Sequence, residues 1–483
     1  MLGTNPNAPE HLMSGWTSPY HLLREEFIQR QDEGCRIPAV LRQRFAELHH
    51  HKDAWNLAAI DPIYDELMAL EEDARLAAQE PNDLESIRRL RPAGPRDLHW
   101  QPSEAEALDR LHGAWTGRAV GCALGKPVEG MGMGRRDGRL CGRTDIKAYL
   151  KNRGDWPLSD YFSGRDAGDG LKISCEKSQR ENIAYMEADD DIHYSLTGLG
   201  CIEESGPDFT WEHVARYWLS HIPVAHICTA ETQAVTNVQN RSCRGGDMAC
   251  TKEWARRFRN PYREWIGAQI RSDGWAWVCA GKPELAAEFA WRDASWTHER
   301  NGIYGEMFCA AMQAAAFVES DPLKLVQIGL SEIPRECRLA RAVNDLLGWI
   351  PSVKDWEACM DKIETAFPDM HVVHTINNAL ICVMSLIYGR MDTTRAITMS
   401  VMSALDTDCN GATVGSIVGA ASGRKRFSPD LAPRLRDTIK PSMVGFQEVT
   451  MSELAKRTYA QWQRVELWQR ERCKNVQVMS KVG

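Results

Sequence analysis

Three short stretches of this 483-residue chain concentrate carboxylates that could do chemistry together. "EADDDIHYSLTGLG" carries Asp189, Asp190 and Asp191 in succession. "DTDCNGATVGSIVGAASG" opens with Asp406 and Asp408, and "LHGAWTGRAVGCALGKPVEG" ends beside Glu129. Adjacent carboxylates repel unless solvent or a cation lies between them, and hard oxygens in this number suit Mg2+, Mn2+ or Ca2+. The competing account is helix capping, because an apolar helix follows each aspartate cluster and the helix dipole favours acids there. Capping explains one acid per helix well, and three in a row poorly.

The elements that carry these acids have a pattern of their own. Glycines stand at 113, 117, 121 and 125, and again at 411, 415 and 419. Residues four apart share one helix face. Each helical glycine costs about 1 kcal/mol relative to alanine, which close approach of two backbones would offset through dispersion. The spacing predicts two glycine helices packed on each other at the centre of an all-α domain; the alternative is that some of these glycines lie in loops. Ser103 and Glu106 predict a capping box at the start of the first. Further helices are expected over "PELAAEFAWRDA", "YGEMFCAAMQAAAF", "RECRLARAVNDLLGW", "INNALICVMSLIYG" and "TRAITMSVMSAL". Residues 130 to 182, rich in glycine and charge, read as long loops of the kind that cover binding sites. Residues 1–95 read as a separate helical extension, divided from the remainder of the chain by "RPAGPRDLHWQP".

Composition bounds the rest. The chain is 43% hydrophobic and 26% charged, as in ordinary globular proteins. A formal charge of −8 argues against a broad nucleic-acid-binding surface. No apolar run suits a membrane span, and the first residues lack the pattern of a secretory signal. The fifteen cysteines are scattered without a CxxC, which suits reduced thiols and a cytoplasmic location.

"GCALGKPVEG", "DDDIHYS" and "DTDCNGATVGSIVGA", in that order, resemble the three acidic motifs of the ADP-ribosylglycohydrolase family, enzymes of the dinitrogenase reductase-activating glycohydrolase type. The segment from "NPYREWIGAQIRSDGWAW" through "YGEMFCAAMQAAAF" looks like the middle of the same family. The resemblance runs from about 108 to 425. It implies an all-α orthogonal helical bundle with a central acidic metal site, a catalytic domain over 103–470, and the N-terminal helical extension 1–95 of unknown role. It implies hydrolysis of the bond between ADP-ribose and a modified protein, nucleic acid or small molecule, with two Mg2+ ions, or Mn2+, as cofactors. Asp190, Asp191, Asp406 and Asp408 then match metal ligands. Asp189 and Cys409 stand where threonines help coordinate; a one-residue shift would choose Asp189 and Asp190 instead. Glu129, with Asp190 and Asp191, takes the catalytic part, and Gln269, His298 and Asn410 match ADP-ribose-pocket positions. The diphosphate is expected on backbone N–H groups of the 130–170 loops.

The sequence departs from the family pattern at Cys122, which replaces an aspartate, at Asp189 and Ile192, and at Cys409. Thiols are soft ligands and poor partners for Mg2+. A non-catalytic ADP-ribose-binding, immunity or structural relative is therefore the second reading. Helical terpenoid synthases also mount acids on facing helices, but their motif needs acids at i and i+4, and none stands at 193, 194 or 195. His193 is expected at the surface or behind the metal ligands. Arg271 is expected to pair with a phosphate or with Asp273. His371 and His374 are expected to pack or cap, and Trp275 and Trp277 to fill the core or stack on adenine. The run His49–His51 is expected to be solvated.

Overall fold

The computed structural model describes residues 15–242 and 250–482. Among them the regular structure is helix, apart from two antiparallel two-stranded ladders, Arg135–Arg136 with Arg139–Leu140 and Thr438–Ile439 with Val449–Thr450. The all-α expectation holds.

The two glycine helices form the axis. The first spans Glu104–Gly125, with Ser103 Oγ accepting a hydrogen bond from Glu106 N (3.2 Å). The second spans Thr407–Ser422. Gly113 faces Gly419, Gly117 faces Gly415, Gly121 faces Gly411 and Gly125 faces Thr407, so the helices run antiparallel in steps of four. A Cβ on Gly113, Gly117 or Gly121 would fall well inside 3.0 Å of the facing backbone. The ladders are therefore the condition for backbone contact, and all seven glycines lie within helices. Helices Asp190–Ser205, Asn301–Ala316 and Thr375–Gly389 pack round this axis. Asn301–Ala316 is buried along its whole length.

The stretch from 130 to 182 is only partly loop. It contains a helix, Gly142–Arg153, that buries Ile146, Tyr149 and Leu150 in the main core and ends at Gly154 with φ +73°. Three apolar residues at helical spacing outweigh the glycine-rich flanks that suggested loop. Residues 154–175 carry no helix or strand.

The N-terminal helices Pro19–Asp32, Ala39–Ala46, Leu57–Met68, Ala74–Gln79 and Leu84–Leu90 have a small core of their own around Leu23, Phe27, Leu41, Ile60, Ile63 and Leu67. The first of them also faces the main body. Leu22 packs with Ala230, Tyr262 and Trp265. The fully buried Arg263 pairs with Glu26 (2.7 Å) and Glu33 (2.6 Å), and Gln29 donates to Glu264 (2.9 Å). Arg338 pairs with Glu80 (2.8 Å) and Glu264 (2.7 Å). Burying ion pairs adds little net stability, but stripping one partner is costly. This network fixes where the extension sits. The turn His49–His51 is partly to fully exposed, as expected.

Candidate metal centre and its cavity

Antiparallel packing of the glycine helices brings the C-terminus of one to the N-terminus of the other. Glu129, just after the first, thereby meets Asp406 and Asp408, which open the second. Thr407 Oγ1 closes the join by donating to Gly125 O (2.8 Å). Carboxylate oxygens of Glu129, Asp406 and Asp408 lie within 4.8 Å of one another. The same holds for ligand atoms of Asp191, Asp408 and Cys409, and of Cys122, Asp189 and Asp191. The group of Asp191, Asp408 and Cys409 shares Asp191 with one of the others and Asp408 with the other, so acids from three distant stretches form one cluster.

Arg118 holds the third stretch in place. Its fully buried guanidinium donates to Asp191 Oδ1 (2.5 Å) and to Asp191 O, Nη1 pairs with Asp273 (3.0 Å), and Nη2 also reaches Ile270 O. Asp189 is the N-cap of helix Asp190–Ser205: Oδ1 accepts from Asp191 N (3.0 Å) and Oδ2 pairs with Lys126 (2.8 Å). Both its oxygens are engaged. Asp406 is also an N-cap by position, yet its side chain caps nothing and Oδ1 is buried without a partner. Asp191 Oδ2 is buried without a partner too. Asn410 Nδ2 donates to Asn378 Oδ1 (2.8 Å), which also accepts from Asp406 N (3.3 Å).

Six carboxylates thus share a site with two nearby cations, Arg118 and Lys126. The excess negative charge shows in their protonation. The charge of Asp408, then burial, pushes Glu129 up to about 10. Burial, then Asp189 and Asp408, pushes Asp190 up to about 8. Burial and then Asp189 push Asp408 up to about 6. Burial and then Asp408 push Asp406 well above the usual carboxylate range. Burial is also the main reason that the Cys122 and Cys409 thiols stay protonated. Orphaned buried oxygens and surplus negative charge fit a divalent cation, and the donors are hard oxygens beside neutral thiols.

A cavity of about 270 Å³ opens on this cluster and is lined by Glu129, Asp190, Asp406, Asp408 and Cys409. Tyr194, Trp265, Ile266, Ile270 and Val373 supply an apolar lining, and Trp16, Cys228, Glu231 and His371 are also among the lining residues. Glu231 is fully buried and pushed up to about 7 by burial against the opposing pull of Arg271. Met133 is the one lining residue from the 130–170 segment.

Gln269, His298 and Asn410 are fully buried and are not among the residues lining this cavity. Both polar atoms of the Gln269 side chain, and His298 Nε2, lack hydrogen-bond partners, although His298 Nε2 lies 3.8 Å from Glu231 Oε1; His298 Nδ1 meets Thr297 Oγ1 (2.7 Å). Arg271 is fully buried and does not pair with Asp273. It pairs with Glu231 (2.6 Å) and Asp293 (2.7 Å), while Asp273 goes to Arg118. His193 is buried, its Nε2 accepting from Ser442 N (2.9 Å). Trp275 donates to Asp293 (2.8 Å) and stacks on Phe209, and Trp277 packs edge-on against Trp115; both are core residues. His374 caps helix Thr375–Gly389, accepting from Ile376 N (3.1 Å), and His371 stacks on Trp265 with ring centroids 3.9 Å apart.

Sequence reasoning missed Arg118, Lys126, Glu231, Tyr194 and the two lining tryptophans, Trp16 and Trp265. Arg118 left a trace, as the one charged residue in "GAWTGRAVGCALG". Trp16 left none.

The family model for ADP-ribosylglycohydrolase matches residues 103–467. An all-α protein with its acids gathered at the ends of glycine-packed helices, this chain belongs to the ADP-ribosylglycohydrolase family. Among solved structures, a chain described as an "ADP-ribosylglycohydrolase-related protein complex" is similar at 18% identity, with a TM-score of 0.47 over 74% of this chain and 99% of that one. No curated protein matches. Among the described residues no helix is long and apolar enough to cross a membrane.

Proposed function

We propose that this protein is a divalent-cation-dependent hydrolase that cleaves the glycosidic bond joining ADP-ribose to a modified protein, nucleic acid or small molecule. One observation carries the reading. Buried, unpartnered carboxylate oxygens from separate elements, Asp191 Oδ2 and Asp406 Oδ1, belong to one acid cluster at a cavity in a chain of this family. Asp190, Asp191, Asp406 and Asp408 would hold the cations, two Mg2+ or Mn2+, with Glu129 beside them. Bound there, the cations would supply Lewis acidity and orientation for ribose hydroxyls and water.

The chain's own residues account for the rest. Glu129, half-buried at the cavity wall, is kept protonated in the cation-free protein chiefly by the charge of Asp408; with that charge offset by bound cations it would ionise, position the attacking water and take its proton on a carboxylate oxygen. The water oxygen bonds the anomeric carbon of the distal ribose, and the electrons of the broken bond leave with the nitrogen or oxygen of the modified group. Asp190 and its neighbours stabilise the positive charge that develops on the sugar. Arg118 and Asp189 position Asp191. The apolar lining around Trp265, Ile266 and Ile270 limits water in the cavity.

The test is release of free ADP-ribose from modified protein, nucleic acid and small molecules by chelator-treated protein titrated with Mg2+ and Mn2+. Activity should return with the cation. Asp408→Asn should lose at least about 100-fold together with cation affinity. Glu129→Gln should lose about 10²–10⁴-fold with cation affinity kept; unchanged turnover in that variant rules out its role. The neutral thiols at Cys122 and Cys409, and the engagement of Asp189 by Lys126, favour a second reading, an ADP-ribose-binding relative without turnover. ADP-ribose binding without hydrolysis of any substrate class would select it.

A further inference from the structure

Trp16 lies far outside the family-matched residues 103–467, yet it lines the same cavity as Glu129, Asp190, Asp406 and Asp408. Its carbonyl accepts a hydrogen bond from Tyr262 Oη (2.5 Å). Its side chain packs, with Val373, on the cluster of Leu22, Ala230, Tyr262 and Trp265. The next helix along the chain, Pro19–Asp32, is tied down by Glu26 and Glu33 on the buried Arg263. Residues 262–265 are therefore at once the seat of the extension and a wall of the cavity, since Trp265 is the other lining indole. Tyr262 and Trp265 pack with ring centroids 4.5 Å apart. Trp16 Nε1, moreover, is buried with no hydrogen-bond partner.

We propose that Trp16 is a specificity-determining residue of the active site: the extension lends its indole to the cavity, where the ring packs against the part of an ADP-ribose ligand that flanks the reacting ribose. The proposal rests on the functional reading above and deepens it. The cavity, at about 270 Å³, is at the small end for a ligand pocket, so an indole at its wall restricts what fits. An aromatic surface suits a nucleotide ligand, whose rings stack on indoles with little regard to exact register. Burial of the Arg263 pairs holds the indole in place, so no folding of a loop is needed on binding.

Full-length, cation-loaded Trp16→Ala, Trp16→Leu and Trp16→Phe test this, by Kd for ADP-ribose, by KM and kcat on a hydrolysed substrate, and by Tm. The Ala and Leu variants should bind ADP-ribose about 10-fold more weakly and raise KM to match. Their kcat should stay within about threefold, and Phe should restore most of the loss. Leu keeps apolar packing against Tyr262 and Trp265 and answers the question if Ala melts early. A Leu variant with wild-type Tm and a Kd within about twofold of wild type overturns the proposal. So does a fall in kcat at constant KM, or a loss of affinity that only tracks Tm. A wild-type protein that binds no ADP-ribose overturns the functional reading, and this contact with it; binding by wild type with equal binding by Trp16→Leu overturns the contact alone.

Discussion

Asp189 and Asp406 hold the same position, one residue before a helix, and the structure uses them differently. Asp189 caps its helix and neutralises Lys126, while Asp406 leaves an oxygen buried and unpaired. Neighbours rather than helix position decide between cap and ligand. The crowding of these acids makes the cation-free protein sensitive to pH. Asp408 and Asp190 have folded pKa values raised from 3.8 to about 6 and about 8. Raised acids bind protons more readily folded than unfolded, so their contribution to stability is fully present below pH 4 and is lost as pH rises through about 6 to 8. Tm of chelator-treated protein should fall from pH 5 to pH 8, and Mg2+ or Mn2+ should cancel most of that fall. A flat Tm over this range without added cation would show that the carboxylates do not crowd one another.

At the scale of the element, the glycine ladders are a packing device with a site at one end. Gly117 and Gly415 meet backbone to backbone, and a methyl group on either pushes the helices apart. Gly117→Ala should therefore destabilise by about 3 kcal/mol, at the upper end of overpacking costs, although alanine is the better helix former. Gly130, with nothing within 4 Å of an added Cβ, provides the control: Gly130→Ala should fall within about 0.5 kcal/mol of wild type. Urea denaturation measures both. Equal effects would mean that the ladder does not set the helix spacing. Separating these helices also moves Asp408 away from Asp191, which Arg118 of the first helix holds, so cation affinity should fall in Gly117→Ala.

For the whole molecule, the extension and the main body share one buried charge network. Burial alone would raise the pKa of Glu33, but Arg263, Arg257 and Arg30 overcome it and hold the carboxyl at about 2, below its ordinary 4.5. A depressed acid contributes stability that is present above pH 4.5 and lost as pH falls toward 2. Hydrogen exchange of helix Pro19–Asp32 should accelerate over that window, with the axis helices protected longer. Deleting residues 1–95 should yield an insoluble or poorly folded protein, because Arg263 and Glu264 lose Glu26, Glu33, Gln29 and the Glu80–Arg338 bridge together. A folded, fully active truncation would show that the network is dispensable.

What the chain's sequence determined by itself was local or periodic: glycine every fourth residue, aspartates at helix starts, and three motifs in the family's order. Such signals survive in sequence because the residues that make them are neighbours along the chain or along one helix face. Tertiary structure alone decided which acids are capped and which are orphaned, and that Arg271 serves Glu231 and Asp293 while Arg118 serves Asp191. It also decided that Gln269, His298 and Asn410 are buried away from the cavity lining while Trp16 reaches it. Those outcomes depend on burial and on contacts between residues tens to hundreds of positions apart, such as Trp16 and Tyr262, and no spacing within one stretch encodes them.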